Sequence, residues 1–143
     1  MEHIKEGCED FFNAVLKKAE AGDAGSQTFL GLIYEQGSIV RQNYKKAIEW
    51  YTKAALQNNA DAQFSLGNLY FFGNGVSQDL EKAFDWYKKA ANAGSMEAQY
   101  SLGLIYANGL GYILNPDLSL AKYWLQKSAN QGYFDAEEAL RKL

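Results

Sequence analysis

Apolar residues recur at helical spacing along most of the chain, in short segments that end at glycines or polar turns. In one of these segments Ala62, Leu66 and Leu69 lie on the same side of a helix. A glycine after a segment marks an expected helix end, because glycine tolerates the positive φ found there. The pattern predicts helices at residues 9–21, 24–36, 43–57, 60–72, 79–92, 96–107, 117–130 and 134–142. We therefore expect an all-α fold.

The helical segments form a repeat, because the same residue types return at a fixed separation. Leu30 and Leu66 lie 36 residues apart, and Leu102 follows after the same interval. The other matched sets are Gly31, Gly67 and Gly103; Tyr34, Tyr70 and Tyr106; and Trp50, Trp86 and Trp124. Such a period is typical of stacked helix pairs that bury their apolar faces against each other. We predict one domain over residues 1–143, with helix pairs at 24–58, 60–94 and 96–132 and a half-repeat at each end.

Glycine returns inside the first helix of every pair, where it costs about 1 kcal/mol relative to alanine. We expect a packing reason, namely close approach of the second helix across small residues such as Ala47, Ala54 and Ala55. The three tryptophans are then expected to fill the space between successive pairs, each burying roughly 200 Å².

Polar residues and proline set the expected helix starts. Asn43 is the predicted N-cap of one second helix, and Ser77 or Asp79 that of the next. Pro116 is expected near the first position of a later helix, where its missing N–H costs nothing. The residues before Glu9 are expected to fray.

These residues resemble the Sel-1-like repeat family, a subclass of the tetratricopeptide-like αα solenoids. The middle repeat carries the family pattern at Ala62, Leu66, Gly67, Tyr70, Gly73, Gly75, Val76, Asp79, Lys82, Ala83, Trp86, Tyr87, Lys89, Ala90, Ala91 and Gly94. The resemblance covers about residues 24–140, and the flanking repeats are degenerate. It implies a right-handed superhelix whose first helices line a concave surface, and a role in protein–protein contact. Some secreted relatives have a cysteine pair in each repeat, which this chain lacks.

Composition narrows the classes of partner. The formal net charge of −3 is unlike the clustered positive charge on which non-specific nucleic-acid binding rests, so no nucleic-acid partner is expected. Cys8 is the only cysteine, which favours a reducing compartment. We expect a cytoplasmic location, or a periplasmic one if a signal peptide has been removed. No stretch is long and apolar enough to predict membrane insertion.

The residues that commonly carry catalysis or hold metals are scarce. His3 is the only histidine, so a nucleophile paired with histidine is not expected, and neither is a zinc site. The sequence Gly73-Asn74-Gly75 is a turn and not a phosphate loop, because no Gly-Lys-Ser/Thr follows it. We predict a protein that is not an enzyme and binds no cofactor.

Specificity is expected on the exposed side of the first helices, at positions that differ between repeats. The candidate partner-binding residues are Thr28, Leu32, Glu35, Phe64, Asn68, Phe71, Phe72, Tyr100, Leu104 and Asn108. Phe71 and Phe72 do not belong to the repeat pattern, and large aromatic side chains often anchor interfaces. The alternative for Phe64 or Phe72 is packing against a neighbouring repeat. The inserted residues 112–114 are expected either to fold back on the third repeat or to extend the contact edge.

The leading hypothesis is a bacterial-type adaptor or regulator that binds another protein on its concave surface. One alternative is an immunity or inhibitor protein that covers a toxin or an enzyme. A second is a hydrolase or transferase that uses carboxylates, which would need paired acidic residues where we find only Glu35. A third is end-on self-association of the array.

Overall fold

The computed structural model describes residues 2–143, so Met1 of the predicted domain lies outside it. Over this range the chain forms eight α-helices and no strand beyond two isolated bridges. The helices are α1 (Glu9–Glu20), α2 (Ala24–Gln36), α3 (Tyr44–Ala55), α4 (Ala60–Phe72), α5 (Leu80–Asn92), α6 (Met96–Asn108), α7 (Leu118–Asn130) and α8 (Phe134–Arg141). The all-α prediction is confirmed, and every predicted helix end lies within two residues of the observed one.

The helices pack as a solenoid of antiparallel pairs. α2 packs on α3, α4 on α5 and α6 on α7, and each pair packs on the next through its neighbouring helices. α1 covers one end at α2, and α8 covers the other at α7. First helices also contact each other directly, α2 with α4 and α6 with α8. First helices therefore lie on the inner, concave side of the array.

Polar N-caps start most of the helices. The Asn43 side chain accepts the Lys46 N–H at 3.0 Å, as predicted, and Asp79 rather than Ser77 caps α5. Asp117 caps α7, so Pro116 lies before the cap and not at the first helical position. Its ring instead packs over Gly109 at the end of α6, a contact that local sequence rules do not predict.

The recurring glycines accommodate a large side chain and not a small surface, which corrects our expectation. A Cβ on Gly31 would lie 2.6 Å from the Tyr51 ring, and one on Gly67 would lie 2.7 Å from the Tyr87 ring. In the third pair Leu125 takes the same place against Gly103. The second helix therefore packs an aromatic or leucine side chain directly against the backbone of the first.

The tryptophans pack between helix pairs, as expected, but to different depths. Trp124 is 8% exposed among residues of the second and third pairs, and Trp50 and Trp86 are partly buried against the core cluster that joins the first two pairs. Their outer faces lie under lysines, with Lys53 Nζ 4.5 Å from the Trp50 ring centroid and Lys89 Nζ 4.6 Å from that of Trp86. In the first two pairs the tyrosine that follows each tryptophan is buried more deeply, because that residue points at the glycine of the first helix.

Three buried glutamines link successive pairs. Each donates its side-chain N–H to a carbonyl near the end of the preceding second helix: Gln27 to Ala19, Gln63 to Ala55 and Gln99 to Ala91. These bonds satisfy carbonyl groups that a helix end leaves free. The sequence analysis did not single them out, although they recur with the same period as the glycines.

Residues before α1 are docked and not frayed, which corrects a second expectation. Ile4 forms an isolated antiparallel bridge with Val40, and the Lys5 N–H donates to the Ile39 carbonyl at 2.7 Å. Glu2 pairs with Lys46 and accepts the Tyr34 hydroxyl. The N-terminal segment therefore rests on the turn of the first pair.

The insertion in the third pair mostly folds back. Ile113 and Leu114 pack against the core cluster that contains Tyr87 and Ile105, and Leu114 bridges to Leu110. Tyr112 at the tip is 97% exposed. The first of our two expectations for this segment is confirmed for Ile113 and Leu114.

Candidate partner-binding groove

Three pockets lie along the first helices, and we call them together the concave groove. The N-terminal pocket, between α2 and α4, includes Thr28, Phe29, Leu32, Asp61 and Ser65. The middle pocket, between α4 and α6, has a volume of about 340 Å³ and includes Asn68, Phe71, Phe72, Ser101, Leu104, Ile105, Asn108 and Leu110. The C-terminal pocket, between α6 and α8, includes Tyr100, Leu104, Asn108, Asp135, Glu138 and Lys142.

Most of the residues predicted from the sequence lie in this groove. Thr28 and Leu32 line the N-terminal pocket, and Tyr100 lines the C-terminal one. The middle pocket brings together Asn68, Phe71, Phe72, Leu104 and Asn108. They converge because first helices stack side by side, so that equivalent positions form rows across the concave surface.

Glu35 and Phe64 do not line the groove. The Glu35 carboxylate accepts the Tyr51 hydroxyl at 2.7 Å, and burial together with this bond raises the pKa of Tyr51. The Phe64 ring lies 5.8 Å from the Tyr87 ring and packs into the core between the second and third pairs. For Phe64 the structure therefore shows the alternative, packing against a neighbouring repeat.

Phe72 is the most exposed aromatic side chain of the middle pocket. It is 66% exposed, and its ring meets Phe71 edge-on at a centroid separation of 5.0 Å. Phe71 is half-buried and leans on Tyr87 at the pocket floor. This arrangement holds one phenyl ring fixed and leaves the other free to cover an apolar side chain of a partner.

Amide side chains provide the polar part of the middle pocket. Asn68 accepts the Tyr87 hydroxyl through Oδ1 at 2.6 Å, which leaves its amide N–H groups for another acceptor. Burial raises the pKa of Tyr87, so its hydroxyl stays neutral and keeps donating at ordinary pH. Asn108 lies exposed at the boundary between the middle and C-terminal pockets. Such amides suit hydrogen bonds to a peptide backbone.

The sequence analysis missed the acidic groups of the groove. Asp61 lies in the N-terminal pocket, and Asp135 and Glu138 lie in the C-terminal one. Sequence analysis treated the C-terminal half-repeat only as an end of the array, and its carboxylates were not among the candidate residues. Aligning the C-terminal half-repeat with the other repeats would have predicted this placement. In that alignment Asp135 takes the position of Asp61, and Glu138 takes that of Phe64.

No group of three or more acidic, histidine or cysteine side chains in residues 2–143 is arranged to hold a metal ion. None of the helices in the described part of the chain has the length and hydropathy needed to cross a bilayer.

The fold and the groove define an αα solenoid with an open concave surface. A family model for the Sel1 repeat matches residues 24–59, 60–95 and 97–133. The chain therefore belongs to the Sel1 repeat family, as the resemblance predicted. Sel1 repeats typically mediate contacts between proteins.

Solved structures show the same fold. The Sel1 repeat protein from Oxalobacter formigenes is 38% identical, with a TM-score of 0.83 over 91% of this chain and 96% of that one. A protective antigen of uropathogenic Escherichia coli strains, which displays an SLR fold, is 35% identical with a TM-score of 0.84. That match covers 90% of this chain and 27% of the antigen. Cysteine rich protein B of Helicobacter pylori is 24% identical, has a TM-score of 0.74 over 96% of this chain and 98% of its own, and shows the fold alone. No curated protein matches the chain.

Proposed function

We propose that this protein is an adaptor or regulator that binds a segment of another protein in the concave groove. The observation that carries the proposal is the middle pocket, where an exposed phenylalanine stands over an apolar wall of Leu104, Ile105 and Leu110. An open pocket of this kind suits a bulky apolar side chain from a partner. The amides of Asn68 and Asn108 beside it suit the backbone of the same segment.

The test is a selection of randomised short peptides on the purified protein, followed by binding measurements on two matched variants. Phe72→Ser removes the exposed ring from the groove. Leu56→Ser removes a side chain that is 78% exposed at the end of α3, outside the three pockets. Losing the burial of one phenylalanine costs about 1.5–3 kcal/mol, so Phe72→Ser should weaken binding roughly 10- to 100-fold.

Leu56→Ser should leave peptide affinity unchanged, and both variants should keep their helical circular dichroism. Peptides that bind Phe72→Ser as tightly as the parent protein would contradict the proposal. The inhibitor alternative, in which the groove covers a toxin or an enzyme, and end-on self-association stay predictions from the sequence.

A further inference from the structure

Charge is segregated between the two faces of the array. α2, α4 and α6 contain no lysine or arginine, and their charged residues are Glu35, Asp61 and Glu97. The lysines of α3, α5 and α7 are Lys45, Lys46, Lys53, Lys82, Lys88, Lys89, Lys122 and Lys127, against the acidic residues Glu49, Glu81 and Asp85. The small net charge of the chain therefore hides a negative concave side and a positive outer side.

The negative charge lies inside the groove itself. Asp61, Asp135 and Glu138 line its two end pockets, where Lys142 is the one cationic side chain. Among the described residues the ion pairs are Glu2 with Lys46 and Asp85 with Lys88, so Asp135 and Glu138 have no cationic partner within 4.0 Å. Unpaired carboxylates at the edge of an apolar pocket favour a cationic group on whatever fills it.

The apolar and acidic parts of the groove are adjacent. The middle pocket contains no charged residue, and it shares Leu104 and Asn108 with the C-terminal pocket. A partner residue that fills the middle pocket thus brings its neighbours towards Asp135 and Glu138. The two pockets together can therefore bind two neighbouring side chains of one segment.

We propose that the groove selects a protein segment in which a bulky apolar side chain lies next to a lysine or arginine. This inference rests on the proposed function and specifies its ligand. Burial of the apolar side chain in the middle pocket supplies most of the affinity. The carboxylates of the C-terminal pocket attract the cation, speed association and repel acidic segments.

The test uses the same peptide selection with an isosteric double variant, Asp135→Asn with Glu138→Gln. The matched control is Glu49→Gln with Asp85→Asn, which removes two exposed carboxylates from the second helices α3 and α5. Peptides selected on the parent protein should pair an aromatic or large aliphatic residue with an adjacent lysine or arginine. They should bind the groove variant about threefold to tenfold more weakly at low salt, and the control variant as well as the parent.

A double-mutant cycle separates recognition of the charge from damage to α8. It compares the parent and the groove variant, each with the selected peptide and with a peptide whose basic residue is replaced by glutamine. The glutamine peptide should bind the parent and the groove variant equally, and added salt should remove the advantage of the basic peptide. Groove-dependent peptides that are neutral or acidic would overturn this inference and leave the proposed function standing. A basic preference that persists in the groove variant would do the same. A selection without any peptide sensitive to Phe72→Ser would overturn both.

Discussion

The Tyr87 hydroxyl donates to Asn68 Oδ1 at 2.6 Å, while the ring of the same tyrosine packs against the backbone at Gly67. One side chain thus joins the two helices of the middle pair and forms the floor of the middle pocket. In the first pair Tyr51 likewise lies against Gly31 and donates to the first helix, although at a different position, Glu35. In the middle pair, the packing that holds the two helices together therefore also positions the Asn68 amide in the groove.

Gly67→Ala should destabilise the fold, although alanine is the better helix former. The added Cβ would lie 2.7 Å from the Tyr87 ring, a distance that forces the ring or the helix to move. We expect a net loss of about 1–3 kcal/mol in the free energy of unfolding, measured by urea denaturation.

Gly25→Ala is the matched control for this substitution. Gly25 also lies in a first helix, but its Cβ would have its nearest neighbour at 3.7 Å. This change should be neutral or slightly stabilising, because only the helix propensity changes. Equal effects at the two glycines would contradict the packing explanation.

Ala93→Gln should stabilise the middle pair. In the flanking pairs Gln57 donates to Gln27 Oε1 and Gln131 donates to Gln99 Oε1, both at 2.9 Å. Ala93 stands at the equivalent position of the middle pair, and Gln63 Oε1 is buried without a hydrogen-bond partner within the described chain. Supplying the donor should add about 0.5–1.5 kcal/mol to the free energy of unfolding.

Ala93→Met is the control, because methionine has a similar size and cannot donate a hydrogen bond. If Ala93→Met raises the thermal unfolding temperature as much as Ala93→Gln does, the effect is due to packing alone. In the opposite direction, Gln131→Ala should lower stability by about 1–3 kcal/mol, because Gln99 Oε1 then loses its donor.

Docking of the N-terminal segment should weaken at acid pH. The hydrogen bond from Lys46 lowers the pKa of Glu2 below its ordinary value of 4.5. Ionised Glu2 therefore stabilises the folded state above pH 4.5, and this contribution is lost as the pH falls through the lowered pKa. Hydrogen exchange at the Lys5 N–H, which bonds to the Ile39 carbonyl, reports the docking directly.

Glu2→Gln should speed this exchange at neutral pH, because glutamine cannot form the ion pair with Lys46. At a pH where Glu2 of the parent is protonated, the two proteins should protect the Lys5 N–H equally. Equal protection in the two proteins at neutral pH as well would show that the Ile4–Val40 bridge alone holds the segment.

The sequence predicted helices and repeats well because both depend on local, periodic signals. Glycine and cap residues such as Asn43 recur at the helix ends, and each acts within a few residues of its own position. The docking of residues 2–5 was missed because it depends on pairing with the turn near Val40, far along the chain. Local rules contain no information on such a contact.

The close contact of a tyrosine with each of the first two glycines was not predicted, for a different reason. Trp86 and Tyr87 are consecutive, and neighbouring positions on a helix point about 100° apart. The repeat pattern marks both residues, but only the placement of the first helix decides which side chain meets Gly67. The candidate residues of the middle pocket were easier to find. Phe71 and Phe72 depart from the repeat pattern, and such departures on the concave side indicate residues that the scaffold does not need.

The most direct test of the account is a backbone amide NMR map of a selected peptide bound to the protein. The account predicts that the largest shift changes fall on α4 and α6, at Phe71, Phe72, Leu104 and Asn108, with smaller ones at the start of α8. A footprint confined to the lysine-bearing outer surfaces of α3, α5 and α7 would contradict it.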